Sequence, residues 1–181
     1  MRGKLERLII EAMARRNGGD AEYIINLRAI SPRALRHVGA AARMLSHREA
    51  VPADAACAAQ LIGALAEGCG SCVQIHVHMA RKAGVSDEQI GAILQNDGDA
   101  LSAEIALAIR FARAIIRHSA DEGAAREAAR AKWGDKGVVD LTIATQTSRF
   151  LSMLKGGFGY AAQCGSLTVG ECRVVPVREA A

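Results

Sequence analysis

The sequence predicts an all-α protein, and three features carry that expectation. Half of the 181 residues are apolar, yet only six are aromatic. Alanine recurs along the whole chain. It is the best helix former because it gives up no side-chain freedom there, whereas strands draw on aromatic and β-branched residues. Apolar residues also return at helical spacing, most clearly at Ile105, Ala108, Ile109, Ala112, Ile115 and Ile116. A chain of this length buries roughly 70% of the surface it would expose unfolded, so a full core needs no covalent staples.

Taken in order, residues 3–16 read as an amphipathic helix with Leu5, Leu8, Ile9 and Met13 on one face. A Gly-Gly-Asp break follows, then a short apolar segment around Tyr23–Leu27. Ser31-Pro32 is a helix start, because serine caps and proline fits the first turn, and that helix should run to about Ser46. Pro52 opens the next, which ends at Gly68. A further helix begins near Cys69 and ends at Ala83-Gly84, where glycine can take the left-handed cap. Ser86 answered by Gln89 forms a capping box for a short helix to about Gln95. The periodic segment 102–118 comes next, then a polar helix over 122–132 and a long one from about Lys136 towards Tyr160. Residues from Gly165 to Val177 read as an extended tail or short strand. This divides the chain into an N-terminal helical extension (1–30), a helical domain (31–160) and a C-terminal tail (161–181).

Charge and hydropathy narrow the function. The net charge of +4 comes from interspersed acids and bases, with no basic stripe to neutralise a phosphate backbone. The N-terminus mixes charged and apolar residues and lacks the uncharged core of a signal peptide. No run approaches the roughly 18 apolar residues of a membrane span. The expectation is a cytoplasmic protein with neither nucleic-acid nor membrane partners. Five cysteines, an odd number, argue against a disulfide framework in such a compartment. A close C-x-x-C pair there points to redox work or metal binding.

That pair is Cys69-Gly70-Ser71-Cys72. It falls at the first turn of a helix, where free amide groups and the positive end of the dipole stabilise a thiolate, the reactive form of the thiol. Positions 69, 72 and 76 are three and four apart, so Cys69, Cys72 and His76 share one ridge, and His76 can accept or relay a proton from Cys72. His78 lies about 200° round the helix from His76 and suits a subunit contact or a second proton site. Two blander readings compete. Zinc would need four ligands from different directions, and one ridge supplies three at most. Inert burial is the other, since free cysteine is a common small core residue.

The segment E-G-C-G-S-C-V-Q-I-H, followed by V-H-M-A-R-K-A-G-V-S-D-E-Q-I, resembles the core of the alkylhydroperoxidase D-like and carboxymuconolactone decarboxylase family. The likeness extends through Leu101–Glu104, Arg110–Ala112 and the helix after Gly134-Asp135, roughly residues 31–160. It implies an antiparallel all-α fold assembled as a dimer, trimer or hexamer. In the family's peroxidase branch the second cysteine attacks peroxide and the first resolves, which carries over to Cys72 and Cys69. The family's proton relay usually includes a glutamate at the position held here by Cys57, a departure from the pattern. Glu67 and His78, like Cys57 itself, are the candidate relay groups, with Asp54 and Gln60 also nearby. The simplest reading of Cys57 is a small buried residue on an Ala-rich helix.

Other candidates read plainly. His37, His47 and His118 are expected at the surface beside arginines. Cys164 and Cys172 flank the Gly-rich tail, and Trp133 and Phe150 are core or interface anchors. Gly156, Gly157 and Gly159 follow no strand and form no phosphate loop. The function these readings favour is a thiol-dependent peroxidase or disulfide reductase for small hydroperoxides. It would use a thiol donor such as a lipoyl-bearing or thioredoxin-like protein, and no metal, flavin or other cofactor. The alternatives are a non-redox enzyme of the decarboxylase branch, with His76 or His78 as its acid–base group, and a non-catalytic redox-sensing oligomer.

Overall fold

The computed structural model describes residues 7–12, 14, 21–95, 97, 101–160, 167–170 and 172–177. It is all-α apart from one small hairpin. The elements are α1 (residues 7–12), α2 (Glu22–Ile30), α3 (Pro32–Ala42), a 3-10 turn (Arg43–Ser46), α4 (Ala53–Ala66), α5 (Gly70–Lys82), α6 (Asp87–Gln95), α7 (Ala103–Arg117) and α8 (Glu122–Gly157). The hairpin pairs β1 (Leu167–Val169) with β2 (Cys172–Val174), antiparallel, Leu167 opposite Val174.

Local chemistry sets the boundaries. Ser31 Oγ accepts the amide of Ala34, with Pro32 in the first turn of α3. Ser86 and Gln89 exchange side-chain and backbone bonds, each at 3.2 Å, so the capping box forms as read. Ser102 caps α7 through the amide of Ile105. Gly84 ends α5 at φ 88°, a left-handed conformation that a side chain disfavours. Gly134, at φ 70°, interrupts α8 and separates the polar segment before it from the long packed segment after it.

The core is built around α4. Its residues Ala55–Ala64 are all buried, as expected of a helix apolar on every side. It packs against α5, α7 and α8. The approach to α8 is closest at Gly63, where an added Cβ would stand 2.5 Å from the carbonyl oxygen of Thr145 and 3.2 Å from Ser148 Cβ. The facing stripe of α8 is unusual, because Thr145, Ser148, Ser152 and Lys155 are all nearly inaccessible. Ser148 and Ser152 each return their hydroxyl proton to the carbonyl four residues back, so they pack as small side chains with satisfied donors.

Two readings of the sequence need amendment. On α1 the predicted apolar face is the outer one: Leu8 and Ile9 are half exposed, and Ala14 is buried instead. On the other side of α1, Ile10 and Ala14 line a cavity. Leu5 and Met13 lie outside the described residues. His47 is not a free surface residue, since its Nε2 is 3.4 Å from the buried carboxylate of Asp140. That carboxylate also accepts the amides of Glu49, Ala50 and Val51, and so fastens the loop ahead of α4 to α8. The tail segment, read as extended or a short strand, forms the β1–β2 hairpin, with Cys172 set against Gly91 on α6 and accepting from Gln95. Cys164 lies outside the described residues. Among the described residues, no helix is long and apolar enough to cross a membrane.

Candidate active site

α4 ends at Ala66, and Gly68 takes φ 66° to turn the chain sharply into the dithiol. Cys69 is the N-cap of α5 and adopts an extended conformation, so it sits just before the helix rather than in its first turn. The amides of Cys72 and Val73 bond back to its carbonyl. This brings the Cα atoms of Cys69 and Cys72 to 5.2 Å, with their sulfurs at disulfide distance. Cys69 is 1% exposed and Cys72 7%.

Cys72 and His76, one turn apart on α5, open together onto a cavity of about 490 Å³. Its walls are mainly apolar: Ile10 from α1, Ile24 from α2, Val38 from α3, Leu45 from the 3-10 turn, and Met79 and Leu151 from α5 and α8. The sequence could reveal Cys72 and His76 by spacing. It could not reveal that four other helices and a 3-10 turn enclose them.

His76 is 4% exposed, and burial pushes its imidazole down to a pKa of about 4. At neutral pH it is therefore uncharged, able to take a proton rather than to supply a fixed positive charge. Its Nδ1 is buried without a hydrogen-bond partner among the described residues. His78 is on α5 but does not line the cavity.

The other two candidate relay groups do not line the cavity. Cys57 is buried on α4, and burial, reinforced by the charge of Asp54, pushes its thiol up to about 11. It remains a neutral thiol and does not line the cavity. Glu67 accepts a 2.8 Å hydrogen bond from Arg149 Nε on α8, which anchors the turn before the dithiol. Gln60 is spent on the carbonyl of Leu45. Among the described residues no three His, Cys, Asp or Glu side chains cluster as a metal ion would require.

One polar group at the site escaped the reading of the sequence. Lys155, 3% exposed, lines the same cavity and donates a 2.6 Å hydrogen bond to Ser71 Oγ, inside the C-G-S-C segment. Its ammonium also stands 5.4 Å from the centre of the Tyr23 ring, within cation–π range. Tyr160 packs near Tyr23 and accepts from Asn26, while its amide closes the end of α8 on the carbonyl of Lys155. A signal existed in the spacing of Thr145, Ser148, Ser152 and Lys155, which repeats every three or four residues. Polar residues at that interval read as a solvated face.

No curated protein matches this chain, and no solved structure does. A family model does match, over residues 59–114, from the middle of α4 through the dithiol to Ala114 on α7. It describes the carboxymuconolactone decarboxylase family, the family that the dithiol segment resembles, and over these residues of the helical core the chain is similar to it.

Proposed function

We propose that this protein is a dithiol peroxidase or disulfide reductase acting on small organic hydroperoxides. The observation that carries the reading is the exposure of Cys72 and His76 together to one apolar cavity, with Cys69 held behind Cys72 at disulfide distance. The Cys72 thiolate attacks the outer peroxide oxygen, the O–O bond breaks, and the alcohol leaves with a proton from His76. Cys72 is then a sulfenic acid. Cys69 attacks its sulfur, hydroxide leaves as water once protonated, and the disulfide forms. Two equivalents of donor thiol, or one dithiol, restore both cysteines. The neutral imidazole of His76 serves this cycle as a transient relay, passing the Cys72 proton on to the leaving alcohol rather than holding it.

The cavity placement of Cys72 supports the assignment of attack to Cys72 and resolution to Cys69. The helix dipole alone would favour Cys69. Large apolar side chains exposed along α8, Val139, Phe150 and Met153, favour assembly into a homo-oligomer.

The test is peroxide consumption with dithiothreitol or dihydrolipoamide as donor, with thiols counted before and after. Peroxide should remove two thiols per chain, and Cys72→Ser should abolish turnover. Full activity in both Cys69→Ser and Cys72→Ser would reject the redox reading and favour the decarboxylase branch.

A further inference from the structure

We propose that Lys155 is a positioning residue that acts through Ser71 to stabilise the thiolate of Cys69. The inference rests on the dithiol reading of the site and adds to it a charge outside the C-x-x-C segment.

The geometry orders the protons. A lysine ammonium has donors and no acceptor, so in its 2.6 Å contact with Ser71 the serine oxygen must accept. The one hydroxyl proton of Ser71 is then left to point elsewhere, and Cys69 Sγ lies 3.5 Å from Ser71 Oγ. The direction of the chain is Lys155 to Ser71 to Cys69. In the oxidised state this last bond is weak, since a disulfide sulfur is a poor acceptor. Once Cys69 carries the charge of a thiolate, the same bond becomes charge-assisted and stronger. The contact therefore favours the product of disulfide cleavage over its reactant.

Its consequence falls on the reductive half of the cycle. A donor thiolate enters through the cavity and attacks Cys72 Sγ. The Cys69–Cys72 bond breaks, the electron pair goes to Cys69, and a mixed disulfide remains on Cys72. A second donor thiolate attacks the donor sulfur of that mixed disulfide, the S–S bond to Cys72 breaks, Cys72 leaves as a thiolate, and the donor departs as its own disulfide with both cysteines reduced. The leaving thiol departs faster the lower its pKa. A cation held behind Ser71 lowers that pKa for Cys69, and the same thiolate is the nucleophile that later resolves the sulfenic acid at Cys72.

The other titratable groups on the packed elements do not provide this charge. His76 on α5 is neutral at physiological pH, Cys57 on α4 is a neutral thiol, and Glu67 beyond the end of α4 is an acidic side chain that accepts from Arg149. Tyr23 on α2 presents its ring to the ammonium. The amides at the start of α5 add a favourable dipole, which no side-chain substitution removes.

The experiment follows the pH dependence of Cys69 alkylation by iodoacetamide, read by peptide mass spectrometry in full-length Cys72→Ser protein. Adding Lys155→Met, or Ser71→Ala, is expected to raise the Cys69 midpoint by about one pH unit. Lys155→Arg, which keeps the charge, is expected to recover most of it. With both cysteines present, Lys155→Met should also slow reduction of the disulfide by dithiothreitol several-fold. Thermal melts identify the folded variants, and if Lys155→Met fails to fold, Ser71→Ala decides on the same midpoint. An unmoved midpoint in the folded variants overturns the proposal. The readout needs no peroxide: a raised midpoint without wild-type turnover would sink the peroxidase reading alone, and turnover with an unmoved midpoint would sink this one alone.

Discussion

Arg149 on α8 donates a 2.8 Å hydrogen bond to Glu67 at the end of α4, two residues ahead of Cys69. Six residues along the same helix, Lys155 holds Ser71. Both contacts bind the short segment that carries the dithiol to α8, so the geometry of the cysteines depends on a helix far away in sequence. Glu67 is 7% exposed and Arg149 23%, which makes the pair more than a surface ion pair. Arg149→Met should cost about 2 kcal/mol in urea unfolding, because it removes a charge-assisted hydrogen bond from a largely inaccessible carboxylate. Glu67→Gln with Arg149→Met should recover part of that loss. A double variant no better than the single one would show that Arg149 acts through packing alone.

The stability of the protein should fall between pH 6.5 and 4 because of His76. Its folded pKa, about 4, lies below the ordinary value of 6.5. The folded state then binds fewer protons than the unfolded state in that window, and stability declines as pH falls through it. The full contribution is present above about pH 6.5 and is lost by about pH 4. The loss should reach about 3 kcal/mol. Urea melts of wild-type and His76→Gln protein across this range check the point. A wild-type curve as flat as that of the variant would count against a buried neutral imidazole.

Cys57 should be the slow thiol. With its pKa raised to about 11, only about one molecule in a thousand carries a Cys57 thiolate at pH 8. In reduced, native protein, iodoacetamide should label Cys72 well before Cys57. Cys57→Ala should leave peroxide turnover unchanged, whereas Cys57→Glu buries a carboxylate among alanines and should lower the melting temperature. Rapid labelling of Cys57 in the folded protein would contradict the burial that sets its pKa.

Gly63 and Gly39 should respond to alanine in opposite directions. At Gly63 the new Cβ meets the backbone oxygen of Thr145 at 2.5 Å, and backbone cannot move aside cheaply. Separating α4 from α8 should cost about 1–3 kcal/mol, more than alanine returns in helix propensity. At Gly39 on α3 nothing lies within 4 Å of the added carbon, so Gly39→Ala should gain up to about 1 kcal/mol. Thermal melts of the two single variants make the comparison. Equal effects would mean that the α4–α8 approach is looser than described.

The sequence by itself determined the class of the fold, the caps that bound its helices, and the register of Cys72 and His76. These are short-range matters. A serine three residues ahead of an amide, a glycine able to take positive φ, and residues one turn apart on α5 are related by local geometry alone. Only the tertiary structure decided which side chains join the dithiol and with what charge. Lys155 and Arg149 reach the site because α8 crosses α4 at Gly63, more than 80 positions away in the chain. Their stripe on α8 is polar and gives no hydrophobic period to follow. The same crossing put Glu67 in the hands of Arg149 and left Cys57 a buried neutral thiol, since desolvation depends on what packs from every side. For α1 the sequence marked an apolar face but not its direction. Ile10 and Ala14 line the cavity, and Leu8 and Ile9 face outward. Spacing along a helix is a property of one segment, and burial is a property of all of them together.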